Sequence, residues 1–188
     1  MKSLAACFFV LLIALVGCKP SKEESLKKIA VAEDTVNANF KNSVPEEKVV
    51  LNAIKAYEDF AKYYPEDSMA PHYLIKGGDY YRFLKQYDKA LNLYEKVEKE
   101  FPESLAAIYG LFLQGYTLDE MGQFDKAKVK YETFLRKYPQ HELAEAARQS
   151  ILKLGLSPEE ILKQIKAKEL ADSLSASGDS MIKTSPEN

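Results

Sequence analysis

The sequence predicts an all-α protein built from antiparallel helix hairpins. Three observations carry that expectation: apolar residues recur at three- and four-residue spacings, the chain repeats itself at an offset of 37 residues, and a proline closes each repeat.

The repeat comes first. Ala53, Tyr57, Phe60 and Pro65 align with Ala90, Tyr94, Val97 and Pro102, and these with Ala127, Tyr131, Phe134 and Pro139. Upstream in each unit, Leu74 matches Leu111, Gly78 matches Gly115 and Gln86 matches Gln123. Leu74, Gly78, Tyr81 and Leu84 form one helical stripe, and Tyr87, Ala90, Leu91, Tyr94 and Val97 a second, so each unit holds two amphipathic helices. Short turns such as Lys85-Gln86 and Gly122-Gln123 fold each pair back on itself. Pro65, Pro102 and Pro139 each follow an aromatic residue, where a fixed φ and a missing N–H stop a helix.

The helices expected are 24–42 with 46–64, 68–84 with 87–101, and 104–121 with 124–138. A further helix over 141–154 then packs on a closing helix that starts at Ser157-Pro158, a favourable cap and first-turn proline. Gly78 and Gly115 fall in mid-helix, where glycine costs about 1 kcal/mol against alanine. Close approach of two backbones, with the small Ala90 and Ala127 facing them, would offset that cost.

The chain ends read differently. Met1-Lys2-Ser3, the small and apolar run Leu4 to Val16, and Gly17 before Cys18 have the three parts of a signal peptide, and the run is too short for the ~20 residues of a spanning helix. Residues 1–17 are therefore read as a signal. Leu15-Val16-Gly17-Cys18 resembles the lipobox of bacterial lipoproteins, which implies that Cys18 becomes the lipidated N-terminus. The other cysteine, Cys7, lies inside the signal, so the mature chain holds no intramolecular disulfide. Lys19 in place of aspartate favours, by the same resemblance, delivery to the outer membrane with the domain facing the periplasm. Residues 18–24 are read as the lipidated linker, 25–171 as the helical domain, and the Ser-, Asp- and Gly-rich stretch 172–188 as a disordered tail.

The repeat resembles the tetratricopeptide repeat, which carries a glycine in its first helix, an alanine and an aromatic in its second, and a closing proline. Gly78, Ala90, Tyr94 and Pro102 fill those places in one unit, and Gly115, Ala127, Tyr131 and Pro139 in the next. Leu74 and Leu111 replace the usual tryptophan, Gln114 stands where leucine is usual, and each unit is longer than the common repeat. The phrase Tyr-Glu-x-Phe-x-x-x-Tyr-Pro at Tyr57–Pro65 and Tyr131–Pro139 is similar to the long repeats of BamD-type outer-membrane assembly lipoproteins and of Tol-associated periplasmic coordinators. The resemblance implies a right-handed solenoid of helix hairpins with a capping C-terminal helix. It places His72, Ile75, Asp79, Arg82, Tyr109, Phe112, Tyr116 and Asp119 on a concave face that holds an envelope protein or peptide. The aromatic spacing of Tyr109, Phe112 and Tyr116 also fits plain packing on a neighbouring helix.

Other functions find little support. The net charge is −2, or −3 once Lys2 leaves with the signal, and it is spread along the chain with no basic stripe for nucleic acid. His72 and His141 are the two histidines; they sit in different repeats, are expected to be exposed, and have no second ligand at metal spacing. Gly77-Gly78 lacks the Lys-Ser/Thr of a phosphate loop, and no serine has the context of a nucleophile elbow. The expectation is a non-enzymatic, lipid-anchored envelope adaptor needing no cofactor or metal. The alternative is a self-associating envelope scaffold.

Overall fold

The computed structural model describes residues 19–182. The predicted signal, Cys18 and residues 183–188 lie outside the described residues. Among the described residues the chain forms α1 (Lys22–Asn42), α2 (Glu47–Tyr63), α3 (Ala70–Phe83), α4 (Tyr87–Glu100), α5 (Leu105–Glu120), α6 (Phe124–Lys137), α7 (Ala144–Lys153) and α8 (Pro158–Ile182), with no strand. It divides inside α5 into two compact units, one up to Gln114 and one from Gly115 onward.

The helix boundaries follow from local chemistry. Ser21 caps α1 in a reciprocal box with Glu24: the Glu24 N–H donates to Ser21 Oγ at 3.1 Å, and the Ser21 N–H to Glu24 Oε2 at 3.0 Å. Ser157 and Glu160 repeat the box ahead of α8, at 3.2 and 2.7 Å. Helices α2, α4 and α6 end alike. Tyr64, Phe101 and Tyr138 each turn out of the helix at φ near −132° while their N–H groups still donate to Phe60, Val97 and Phe134, and the prolines follow.

The α3–α4 turn is a Schellman motif, with the Gln86 N–H donating to Tyr81 O and the Lys85 N–H to Arg82 O, both at 2.8 Å. It requires the left-handed region, which Lys85 adopts at φ 58°. One repeat later Gly122 fills that place at φ 70°, without the steric cost a side chain brings there.

In the first unit α1 packs on α2, α2 on α3 and α3 on α4. One core gathers Ala61, Ala70, Leu74, Leu93, Val97, Ala106 and Ala107 from α2 to α5. Another joins Ile29 and Val36 of α1 to Ala53, Tyr57 and Phe60 of α2 and Tyr73 of α3. In the second unit α6 packs on α7, with Ala127, Tyr131 and Phe134 buried on α6 and Ala144 and Ala147 on α7.

At Gly78 and Gly115 the nearest opposing atoms are not backbone. These glycines seat aromatic rings. A Cβ added to Gly78 would lie 2.3–2.9 Å from three atoms of the Tyr94 ring, and one on Gly115 would lie 2.9 Å from two atoms of the Tyr131 ring. Both tyrosines are fully buried. The first hairpin has Lys41 in the glycine place and holds its tyrosine differently: the Tyr57 hydroxyl donates to Glu33 at 2.8 Å, and its ring stacks on Tyr73 at 5.4 Å.

Two expected boundaries change. Helix α1 starts at Lys22, inside the stretch read as a linker, because the Ser21–Glu24 box supplies its cap. Helix α8 runs past Asp172 to Ile182 rather than giving way to a disordered tail there. Its Ala, Leu, Lys and Glu are strong helix formers, and the serines and aspartates weaken the helix only modestly.

The glycine seat gives a direct test. Gly78→Ala gains about 1 kcal/mol of helix propensity but overpacks the Tyr94 ring, which typically costs about 1–3 kcal/mol, so thermal melting should show net loss. Tyr94→Ala should cost about 3–5 kcal/mol. A melting temperature unchanged by either substitution would contradict this packing.

Candidate functional site

The predicted binding face divides between the two units. In the first, Gly110 governs the approach of α5: a Cβ there would lie 3.3 Å from Ile75 Cδ1 and 3.3 Å from the Tyr94 carbonyl oxygen. Glycine thus lets α5 run close against α3 and α4. Beside this contact Ile75 and Phe112 are half-buried, His72 is exposed, and Tyr109 remains 37% exposed. These aromatic and apolar groups are neither wholly core nor wholly free, which suits a surface that still has area to bury.

Asp79 does something the sequence did not indicate. Its Oδ1 accepts the Tyr94 hydroxyl at 2.8 Å, and Arg82 Nη2 stands 3.9 Å away. Burial pushes the Asp79 carboxyl above its usual range, while the Tyr94 hydroxyl and Arg82 pull the other way. The acid therefore orients the buried tyrosine of its own hairpin. Gln114, fully buried where leucine is usual, donates to Glu98 Oε2 at 3.2 Å and ties α5 to α4.

In the second unit Tyr116 is 39% exposed. Asp119 lines a recess of about 530 Å³ with Phe124, Ser150, Gly155 and Glu160, and its carboxyl is pushed up by burial and by neighbouring Glu120. Tyr131 is pushed up to about 12 by burial, with the Ser150 hydroxyl acting in the opposite sense.

His72 is exposed as expected, but His141 is not. It is half-buried, with its ring edge-on to Phe134 at 5.8 Å and Nδ1 accepting from the Leu143 N–H at 3.2 Å. The turn after Pro139 brings the imidazole against Phe134 of α6 and within reach of the residue that precedes α7. Among the described residues no cluster of three or more His, Cys, Asp or Glu could hold a metal ion, and no helix is long and apolar enough to cross a membrane.

Sequence reasoning missed the contacts made by Lys19, Pro20 and Lys22. The Tyr64 hydroxyl donates to the Pro20 carbonyl, Lys19 Nζ lies 4.2 Å from the Tyr64 ring centroid, and Lys22 pairs with Asp67 at 2.5 Å. The hydrogen bond and charge of Asp67 raise the Lys22 pKa. The residues directly after Cys18 are thus clamped to the α2–α3 turn. It also missed Glu33, which accepts from Tyr57 and from Lys76 of α3. No spacing rule links residues so far apart in the chain.

Residues 84–151 match the tetratricopeptide repeat family. The matched stretch includes Ala90, Tyr94, Pro102, Gly115, Ala127, Tyr131 and Pro139, seven of the positions singled out above. No curated protein matches the chain. Among solved structures, the Arabidopsis OM64 TPR domain is similar at 16% identity and a TM-score of 0.48, covering 69% of this chain and 98% of that one. The repeat is typically a non-enzymatic scaffold that presents its surface to other proteins.

The buried tyrosines set the pH response. Burial is the first cause of a raised pKa at Tyr57, Tyr94 and Tyr131. In the unfolded chain tyrosine titrates near pH 10. Above that pH the folded state keeps protons that the unfolded state has lost, so stability is intact below about pH 10 and falls as pH rises further. The slope reaches about 1.4 kcal/mol per pH unit for each such tyrosine. Thermal melts should show this alkaline decline, and Tyr94→Phe should make it shallower. A melting temperature that holds steady well above pH 10 would contradict the assignment.

Proposed function

We propose that this protein is a lipid-anchored adaptor of a bacterial cell envelope, held at the outer membrane by Cys18 and binding a segment of an envelope protein on its first-helix face. The observation that carries the binding half is the α3–α5 contact. Gly110 against Ile75 sets two first helices side by side and leaves Tyr109, Phe112 and His72 accessible along them. Aromatic anchors with flanking charge suit a helix or extended peptide better than a small polar metabolite. The clamp at Lys19 and Pro20 supports the anchoring half, because a lipid on the preceding residue would hold the domain close to the bilayer with little slack. Work in outer-membrane protein assembly, with the domain facing the periplasm, is the specific form favoured by the lipobox and the long repeat together.

One observation favours a self-associating scaffold instead. Helix α8 leaves Leu162, Ile165, Leu170 and Leu174 45–63% exposed, and a second copy could cover them. The mass of the protein in solution separates the two readings.

Two experiments test the adaptor. Metabolic labelling with palmitate should mark a mature protein lacking residues 1–17, and Cys18→Ser should abolish both label and processing; an unlabelled wild type would end the anchoring claim. A photo-crosslinker at Phe112 should trap one envelope protein in living cells, with yield reduced by Tyr109→Ala. Recovery of no protein adduct would end the binding claim.

A further inference from the structure

A furrow runs between α1 and α2 and shares no residue with the proposed protein-binding face. It has a volume of about 670 Å³ and a floor of Val31, Ala32, Val49 and Ala56. Val31 is 58% exposed and points off the buried stripe of Ile29 and Val36, so it adds nothing to the core. A smaller recess lined by Pro20, Ser25 and Tyr63 continues it, sharing Lys28, Ala56 and Asp59. The furrow therefore leads toward Pro20, two residues after Cys18. Along α1, from Glu24 to Thr35, it is about 16 Å long, close to the ~15 Å that one leaflet of a ~30 Å hydrocarbon core spans.

Its rim carries one net positive charge, three lysines against two carboxylates. Lys27, Lys28 and Lys55 face Glu24 and Asp59. Both carboxylates are already engaged, Glu24 by the Ser21 N–H at 3.0 Å and Asp59 by Lys55 at 2.8 Å. Lys27 and Lys28 are exposed and pair with no described carboxylate.

We propose that this furrow takes an acyl chain of an anionic phospholipid from the adjoining bilayer, with Lys27 and Lys28 meeting the headgroup phosphate. A trough with an apolar floor, edged by two unpaired ammonium groups and continuing toward Pro20, matches a lipid that is apolar along its tail and negative at its head. The furrow orients the domain with α1 and α2 toward the membrane. The inference rests on the reading that Cys18 brings the chain to a membrane, and its test is separable from the palmitate test of that reading.

The test is a photo-crosslinker at Val31 in the full chain, expressed in cells and illuminated, with the adduct identified by mass. Exposure of Val31 leaves the core intact on replacement. The expected adduct is a phospholipid, rich in anionic headgroups, absent when the crosslinker is placed at exposed Lys128 of α6 and reduced by about fivefold or more in Lys27→Glu with Lys28→Glu. A protein adduct at Val31 would assign the furrow to a partner helix and overturn the proposal. So would a link to the chain's own N-terminal lipopeptide, no adduct, or a phospholipid yield indifferent to both lysines. A palmitate-labelled protein with no adduct fails the furrow alone, whereas an adduct on an unlabelled protein fails the anchor alone.

Discussion

The contact between a tyrosine ring and a glycine one helix away is the constraint on which these hairpins depend. Tyr94 and Tyr131 are fully buried, and each ring occupies the space a side chain at Gly78 or Gly115 would fill. A helix–helix interface is close-packed, so a ring of this size needs a notch in the opposing helix. Glycine supplies the notch at a cost in helix propensity, which the buried aromatic surface offsets. The hydroxyl then needs a partner, and Asp79 supplies it to Tyr94. A residue on the predicted binding face therefore also holds up the hairpin behind it.

The first hairpin shows what happens without the notch. Lys41 stands in the glycine place, and Tyr57 reaches Glu33 of α1 and stacks on Tyr73 of α3. Glu33 in turn accepts from Lys76 of α3. Burial acts to raise the Glu33 pKa, but Lys76 and Tyr57 outweigh it and hold the carboxyl below its usual range. A charged network thus ties α1 to α2 and α3, where the second hairpin joins the glycine notch to the Tyr94–Asp79 bond. The start of the chain adds to this hold, with Lys19, Pro20 and Lys22 fixed to Tyr64 and Asp67.

Much of this was legible because the repeat exposes its own punctuation. Pro65, Pro102 and Pro139 mark three helix ends, and the stripe through Ala90, Tyr94 and Val97 marks the buried face, so helix boundaries fall within a few residues of expectation. The glycines were located but their role was not. Spacing pairs Gly78 with the small Ala90, whereas Tyr94 lies one turn further along the same face, and only its ring has the bulk to require the space. His141 looked like any polar turn residue until the fold set Phe134 beside it. Of the proposed binding face, Ile75, Tyr109 and Phe112 lie on α3 and α5 and are not fully buried, while the second role of Asp79 was hidden because its partner lies on another helix. The α1–α2 furrow was invisible for the same reason, being made of off-stripe residues from two helices whose register no single-helix pattern fixes.

A double-mutant cycle on Gly78 and Tyr94, read by denaturant unfolding, tests the central claim most directly. If the ring occupies the glycine notch, Gly78→Ala should destabilise the native protein but become neutral or stabilising once Tyr94→Leu has emptied the notch, with a coupling of about 1–3 kcal/mol. Strictly additive effects of the two substitutions would mean that ring and glycine do not depend on each other, and the account of these hairpins would fail.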